Sequence, residues 1–180
     1  MADSSGSVWV ARFPTSNQTS DLIASFRTKV ESFIAALQAG GASVSISATL
    51  RPPKRAYLMH YAWRIARENL DAATVPAMAG VDIEWVHRGA TGAVNAGAAR
   101  VAANQMVAGY SIVYAPALTS RHSEGRAIDM TITNYSGKAF NNATGTSTTV
   151  NTAAQLHALG ATYGVYKLVS DPPHWSDDGH

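Results

Sequence analysis

Residues 120–132 read Ser-Arg-His-Ser-Glu-Gly-Arg-Ala-Ile-Asp-Met-Thr-Ile, and the predicted architecture is built around them. In its second half, from residue 127 onward, every second side chain from Ile128 is apolar and shares one face of a predicted strand, whereas Asp129 lies on the other face. A carboxylate inside an apolar strand is costly to bury without a partner. The stretch therefore predicts a strand on which Asp129 meets a compensating group, and a metal ion is one such group.

Two histidines can be brought to Asp129. His122 lies seven residues earlier, and Gly125 between them allows a turn that folds the imidazole back. His174 follows two prolines, which stiffen the backbone leading into it. Asp171 stands three residues before His174.

Two imidazoles, one carboxylate and a water make a catalytic zinc site with an open position. The chain has no cysteine, so any metal must be bound by His, Asp or Glu. A second carboxylate that does not bind the metal is needed to move a proton, and Asp171 is the best placed. Spacing alone leaves open the alternative that each of these residues has an ordinary structural role.

The chain resembles a known family of zinc peptidases in two places. Residues 120–129 match the signature S-x-H-x-x-G-x-A-x-D at all five fixed positions, which are Ser120, His122, Gly125, Ala127 and Asp129. The ending Asp171-Pro-Pro-His174-Trp175 is similar to the family's second motif, an acidic residue, two others, then His followed by an aromatic residue. The family contains D-Ala-D-Ala carboxypeptidases and L-alanyl-D-glutamate endopeptidases, and it shares the fold of the Hedgehog signalling domain and of lysostaphin-type enzymes.

The resemblance implies one Zn²⁺ ion bound by His122, Asp129 and His174, with Asp171 as the general base. Asp171 would take a proton from the attacking water and return it to the leaving amine. Zinc would hold that water and polarise the scissile carbonyl.

Three further residues are candidates for contacts with substrate. Arg51 resembles an arginine that the family places ahead of a helix, where it would hold a substrate carboxylate or stabilise the oxyanion; a surface arginine is the alternative. Ser120 would donate a hydrogen bond to substrate, or its hydroxyl would only stabilise the loop. Trp175, beside His174, would shape the cleft.

The activity that the resemblance implies is hydrolysis of peptide bonds in peptidoglycan stem peptides. Asp rather than Glu at position 171 is more similar to the L-alanyl-D-glutamate endopeptidases of phage endolysins than to the carboxypeptidases and dipeptidases that act on D-Ala-D-Ala. A non-catalytic zinc-containing binding module is a further alternative, against which the intact candidate base argues. A phage lysin, a delivered toxin and a wall-remodelling enzyme all remain compatible with the sequence.

The pattern of the whole chain predicts an α+β fold, a small antiparallel sheet that carries the zinc site and is flanked by helices. Residues 1–18 are predicted to be a flexible segment, and residues 19–180 a single peptidase domain. Helices are predicted from a cap at Ser20 to Gly40-Gly41, from Pro52-Pro53 to about Asn69, and over 93–108 and 152–163. Strands are predicted at 43–50, 81–85, 112–114, 127–132 and 165–168, and a loop at 134–150.

Composition narrows the partners. The formal net charge is only +2 and the basic residues are scattered, so we expect no nucleic-acid partner. We expect no membrane partner, because no apolar run is long enough to span a bilayer. We also expect a monomer. The first residues lack the pattern of a signal peptide, so action in the periplasm or at the cell wall would follow release or delivery by another system.

Four histidines lie outside the two motifs and are expected to be ordinary packed or exposed residues: His60, His87, His157 and His180. A contribution from His87 or His180 is left open.

Overall fold

The computed structural model describes residues 2–180 and confirms the predicted α+β class, with a small antiparallel sheet flanked by helices. The helices in this part of the chain are α1 (Ala24–Ala39), α2 (Pro53–Arg67), α3 (Ala96–Gly109) and α4 (Ala153–Thr162). Its strands are β1 (Asp3–Ser4), β2 (Ser43–Ala48), β3 (Ile83–Glu84), β4 (Ala127–Thr133), β5 (Lys138–Asn141), β6 (Ser147–Val150), β7 (Tyr166–Lys167) and β8 (His174–Ser176). None of the helices in residues 2–180 combines the length and the apolar character that a membrane crossing requires.

The chain divides into two compact units. The first unit comprises the residues up to Pro14 together with Pro52–Thr119, and the second unit comprises Thr15–Arg51 and Ser120–His180. All the residues that the sequence marks as metal ligands, base or substrate contacts belong to the second unit. The predicted domain limits, 1–18 and 19–180, stay a prediction.

The second unit is built on a four-stranded antiparallel sheet with the strand order β2-β4-β8-β7. Strand β4 lies inside this sheet because both of its edges are paired, with Ile46 opposite Met130 on one side and Ile128 opposite Trp175 on the other. The alternation of β4 sends Ile128 and Met130 into the core and Asp129 to the opposite face.

The core of the second unit covers one face of that sheet. Helix α1 contributes four fully buried side chains at helical spacing, Phe26, Val30, Phe33 and Leu37. Helix α4 adds Leu156 and Leu159 to the same cluster. With one face of β4 buried against helices, a shift of register by one residue would move Asp129 into the core, so the apolar pattern fixes where the carboxylate lies.

The first unit has a helical core. Helices α2 and α3 pack together, and the buried set is rich in aromatic rings and small alanines that allow close approach. Trp9, inside the segment that the sequence suggests is flexible, is 1% exposed and lies in this core. Strands β1 and β3 form a short parallel pair in which Asp3 is opposite Ile83.

Each predicted helix is present, but the start of α1 differs from the prediction. Ser20 lies in a short 3-10 helix, Thr19–Asp21, and the cap residue of α1 is Ile23, whose side chain makes no capping hydrogen bond. Ser20 as the cap is therefore wrong, because Leu22 between the two helices is extended and buried at 4%. At the other end Gly40 closes α1 as predicted, and Gly41 follows with a φ of 86°.

Two predicted segments are wrong. Residues 112–114 form no strand, since Val113 and Tyr114 are exposed at 72% and 84% and pair with no other strand. Residues 134–150 are not a structureless loop: β5 and β6 form a hairpin. Phe140 and Val150 fasten this hairpin to the core of the second unit, which outweighs the polar composition of the residues around them.

Candidate metal centre

Three side chains from distant points of the sequence meet on the sheet of the second unit. The distance from His122 Nε2 to Asp129 Oδ1 is 3.0 Å, that from His122 Nε2 to His174 Nδ1 is 3.1 Å, and that from His174 Nδ1 to Asp129 Oδ1 is 3.2 Å. Both imidazoles are buried, and the carboxylate is partly exposed. These three residues form a cluster that could hold a metal ion.

The sheet register brings two of the three residues together. Asp129 on β4 is the direct cross-strand partner of His174 on β8, so their side chains leave the sheet on the same face. One residue further along, the Met130 N–H donates to the Pro173 carbonyl at 2.8 Å. Proline has no N–H to return that bond, so regular pairing stops here and β8 begins at His174.

His122 reaches the cluster from a tight loop rather than from a strand. The loop reverses at Gly125, whose φ is 68°. A Cβ on Gly125 would lie 3.2 Å from the backbone nitrogen of Ile23, so the position is also tightly packed. The carbonyl of His122 accepts a hydrogen bond from the Arg51 N–H at 3.0 Å, which ties the loop to the end of β2.

Backbone carbonyls decide which ring nitrogens face the cluster. His122 Nδ1 lies 2.7 Å from the Thr49 carbonyl, and His174 Nε2 lies 3.1 Å from the His180 carbonyl. A carbonyl oxygen only accepts, so each of these nitrogens carries a proton and donates. The other nitrogen of each neutral ring then presents a lone pair to the cluster. Two lone pairs and a carboxylate oxygen therefore point at one another, and only a cation between them, a proton or a metal ion, relieves the repulsion.

The pKa values of the cluster show the same attraction for a cation. Burial raises the pKa of Asp129, but hydrogen bonds and positive charge from His122 and His174 lower it by more, so the net pKa lies below its usual value. Burial lowers the pKa of His174, but the hydrogen bonds to Asp129 and to the His180 carbonyl, with the charges of Asp129 and Asp171, raise it above the ordinary value. Without a metal, the cluster therefore holds a proton more tightly than a free imidazole does.

Asp171 lies beside the cluster and outside it. It is exposed, and it occupies the turn that connects β7 to β8, three residues before His174. Its carboxylate is not among the three groups whose ligand atoms lie within 4.8 Å of one another, yet its charge acts on both His174 and Lys167. Its role as general base stays a prediction.

Arg51 lies three residues after the end of β2 and is half-buried. Its Nε atom is buried and has no hydrogen-bond partner within residues 2–180. A buried donor without a partner is costly, so this atom is an exception to the usual pairing of buried polar groups. The backbone bond from Arg51 to His122 keeps it next to the 120–126 loop, and its contact with substrate stays a prediction.

The two other candidate contacts have structural partners. The Ser120 hydroxyl accepts from the Ser123 N–H at 3.4 Å. Ser123 Oγ accepts from the Ser120 N–H and donates to the Ser120 carbonyl, both at 2.8 Å, so Ser120 is engaged in its own turn. Trp175 is 2% exposed and packs against Phe33 and His157, with ring centroids 5.5 and 5.6 Å away. Contacts of Ser120 and Trp175 with substrate stay a prediction.

Other histidines have separate surroundings. His60 Nδ1 lies 2.7 Å from the Pro116 carbonyl and His87 Nε2 lies 2.9 Å from Ser5 Oγ, all within the first unit. His157 packs on Trp175, where burial and then the charge of Lys167 lower its pKa.

The sequence did not indicate every group around the cluster. The carbonyls of Thr49 and His180 orient the imidazoles, and a carbonyl leaves no trace in the identity of its residue. Lys167 is also new: burial lowers its pKa, and the charges of Asp171 and Asp129 oppose that shift. The sequence around Lys167 did not indicate that this lysine lies near Asp171 and Asp129.

Comparison with known proteins adds no assignment. The chain matches no protein-family model, and the search of curated proteins gives no significant match.

Proposed function

We propose that this protein is a zinc-dependent peptidase that cleaves peptidoglycan stem peptides as an L-alanyl-D-glutamate endopeptidase. The observation that carries the proposal is the meeting of His122 Nε2, His174 Nδ1 and Asp129 Oδ1 within 3.2 Å of one another, with the outer ring nitrogens held by carbonyls. These are the residues that the two peptidase-like motifs mark, and the two motifs are far apart in the sequence.

Zinc suits this set of ligands better than calcium or magnesium does. Imidazole nitrogen with one carboxylate is a usual zinc environment, whereas calcium and magnesium prefer oxygen ligands throughout. A tetrahedral site with bonds of about 2.0 Å places its ligand atoms about 3.3 Å apart. The separations of 3.0, 3.1 and 3.2 Å need only a small expansion to reach that spacing.

The chemistry follows from what surrounds the ligands. When bound, zinc would supply a Lewis acid and a water of lowered pKa. Asp171, which is exposed, would accept a proton from the attacking water and deliver it to the leaving nitrogen. Asp129 is held in its ionised form by the two histidines and so remains a ligand rather than a proton carrier.

Arg51 supplies the second electrostatic contact. The guanidinium of this partly exposed residue would donate to the oxyanion that develops on the scissile carbonyl or to a carboxylate of the stem peptide. Stem peptides carry free carboxylates, so a guanidinium beside the ligand loop favours this class of substrate over a neutral peptide. Action on such a substrate places the protein in the periplasm or at the cell wall.

Digestion of purified sacculi followed by mass spectrometry tests the proposal. The zinc-loaded protein is expected to release fragments with a new L-Ala carboxyl terminus; free D-Ala would instead identify a carboxypeptidase.

His122→Ala should lose both zinc and activity, whereas Asp171→Asn should keep zinc and lose about 10²- to 10⁴-fold in kcat. The same change at exposed Asp82 of the first unit is the matched control and should leave both unchanged. Zinc binding with no cleavage of any stem-peptide bond would leave a binding module and overturn the proposed activity.

A further inference from the structure

One lysine is bound to the turn that carries both the candidate base and a ligand. Lys167 Nζ lies 2.5 Å from the Leu168 carbonyl, 2.5 Å from the Asp171 carbonyl and 2.9 Å from the His174 carbonyl. An ammonium has three protons, and here each has its own acceptor. The side chain is half-buried, and Nζ lies 5.7 Å from the centre of the Trp175 ring.

The backbone of this turn, residues 168–174, is closed by its own hydrogen bonds. Leu168 N–H donates to the His174 carbonyl at 3.1 Å, and His174 N–H donates to the Asp171 carbonyl at 3.0 Å. Asp171 N–H donates to the Leu168 carbonyl at 3.2 Å. The three bonds bring three carbonyl oxygens close to Lys167 Nζ, where their partial negative charges repel one another. The Lys167 ammonium donates to all three and is the cation that lets the carbonyls converge.

We propose that Lys167 is a positioning residue, which holds the 168–174 turn so that His174 and Asp171 keep the geometry needed for metal binding and proton transfer. The inference rests on the proposed metal site. Lys167 acts through the backbone of these residues and needs no contact with metal or substrate. Without the ammonium, the turn loses its central donor, His174 loses its fixed approach to Asp129, and the carboxylate of Asp171 is no longer held beside the cluster.

The chain offers a matched control for this role. Lys138 Nζ also donates to a backbone carbonyl, that of Gly41, at 2.5 Å, and it also belongs to the second unit. It lies on the β5–β6 hairpin and contacts none of the ligands. Replacing Lys138 therefore removes a comparable lysine-to-carbonyl contact while leaving the 168–174 turn intact.

The test compares Lys167→Met, Lys167→Arg and Lys138→Met in the full chain. Zinc affinity is measured by competition with a chelator, and the Co²⁺-loaded proteins are compared by their visible absorption spectra. We expect Lys167→Met to weaken zinc binding about 10-fold and to alter the cobalt spectrum, as loss of groups that orient metal ligands does. Lys167→Arg, which keeps a cation and donors, should lie between Lys167→Met and wild type. Lys138→Met should retain wild-type affinity and spectrum, even where its melting temperature falls as far as that of Lys167→Met.

Wild-type zinc affinity together with a wild-type cobalt spectrum in Lys167→Met would overturn the inference. So would equal losses in Lys167→Met and Lys138→Met, since these would reflect general destabilisation. If Lys167→Met does not fold, the decision rests on Lys167→Arg, whose affinity must fall below that of Lys138→Met. These readouts need no peptidase activity, so they separate failure of this inference from failure of the proposed reaction. Where activity is present, Lys167→Met should lower kcat more than it changes KM.

Discussion

Two polar clusters, one in the core of the first unit and one on the sheet of the second, differ in whether their donors and acceptors are matched. In the first unit, Trp85 Nε1 donates to the Tyr57 hydroxyl, which donates to the Pro76 carbonyl. Tyr110 likewise donates to the Trp9 carbonyl. Each of these donors has an acceptor inside the unit, so this polar network is complete without a ligand.

In the second unit, groups of the same kind are left without complementary partners. His122, Asp129 and His174 direct three acceptors at one point, and Arg51 Nε is a donor that has no acceptor within residues 2–180. Both arrangements contain buried polar groups, yet only the second could hold a metal ion. The comparison teaches that complementarity of donors and acceptors, rather than burial or polarity alone, distinguishes a structural cluster from a binding site.

Acidification should produce the largest difference between the units. Metal binding requires both imidazoles to be neutral, so protons compete with zinc, by up to about 100-fold in affinity per pH unit once both rings titrate. The pKa of His174 is raised in the folded, metal-free protein, so its contribution to stability is full below the unfolded pKa and is lost as pH rises through the folded pKa. Calorimetry with and without zinc should therefore show a metal-induced rise in Tm at pH 7 that disappears by pH 5.

His122→Ala is the control for that measurement and should show no zinc-induced rise at any pH. Hydrogen exchange resolved by peptide should locate the zinc-dependent protection in the second unit. Zinc-dependent protection mainly in the first unit would contradict a metal site in the second unit.

Sequence and structure agree where the fold depends on periodic apolar residues. The spacing of Phe26, Val30 and Phe33 predicted α1, and the alternation around Asp129 predicted β4. The two ligand motifs also predicted which side chains meet, since the cluster contains His122 and His174 with Asp129.

The rest of the site depends on features that residue identity does not encode. The orienting acceptors are the carbonyls of Thr49 and His180, which any residue could supply. The position of Lys167 beside the 168–174 turn follows from the β7–β8 register, in which Lys167 is opposite Trp175. The sequence predicted no strand at His174, so it could not predict that register. The hairpin of residues 138–150 escaped prediction because two distant apolar residues, Phe140 and Val150, outweigh a polar composition.

Alkali should affect the first unit through Tyr110. Burial raises the pKa of Tyr110 to about 12, opposed by the Arg55 guanidinium, which lies 4.7 Å from the ring centre. Because the folded pKa exceeds the unfolded value of about 10, the contribution of Tyr110 to stability is full below pH 10 and declines as pH rises through 12. The free energy of unfolding of the metal-free protein should fall by about 2 kcal/mol over this range on account of Tyr110.

Urea unfolding of wild type and Tyr110→Phe at pH 9 and pH 11.5 measures this contribution. Tyr110→Phe should lose about 1 kcal/mol at pH 9 with the bond to the Trp9 carbonyl. It should then fall less steeply with pH than wild type. Identical slopes of unfolding free energy against pH for the two proteins would show that Tyr110 does not ionise with a raised pKa.

The smallest expected effect is a difference in zinc affinity between alanine variants of two glycines in the second unit, which have similar backbone conformations. Gly125 and Gly137 have φ values of 68° and 76°, so alanine at either position should cost about 1 kcal/mol of stability from backbone strain. A Cβ at Gly137 would meet no atom within 4 Å, whereas one at Gly125 would lie 3.2 Å from the Ile23 nitrogen and push the loop that carries His122. Gly125→Ala should therefore weaken zinc binding, measured by chelator competition, while Gly137→Ala leaves it unchanged at a similar loss of Tm. Equal zinc affinities in the two variants would mean that the position of His122 tolerates displacement of its loop, and the orientation of the lone pairs would then depend on the Thr49 carbonyl alone.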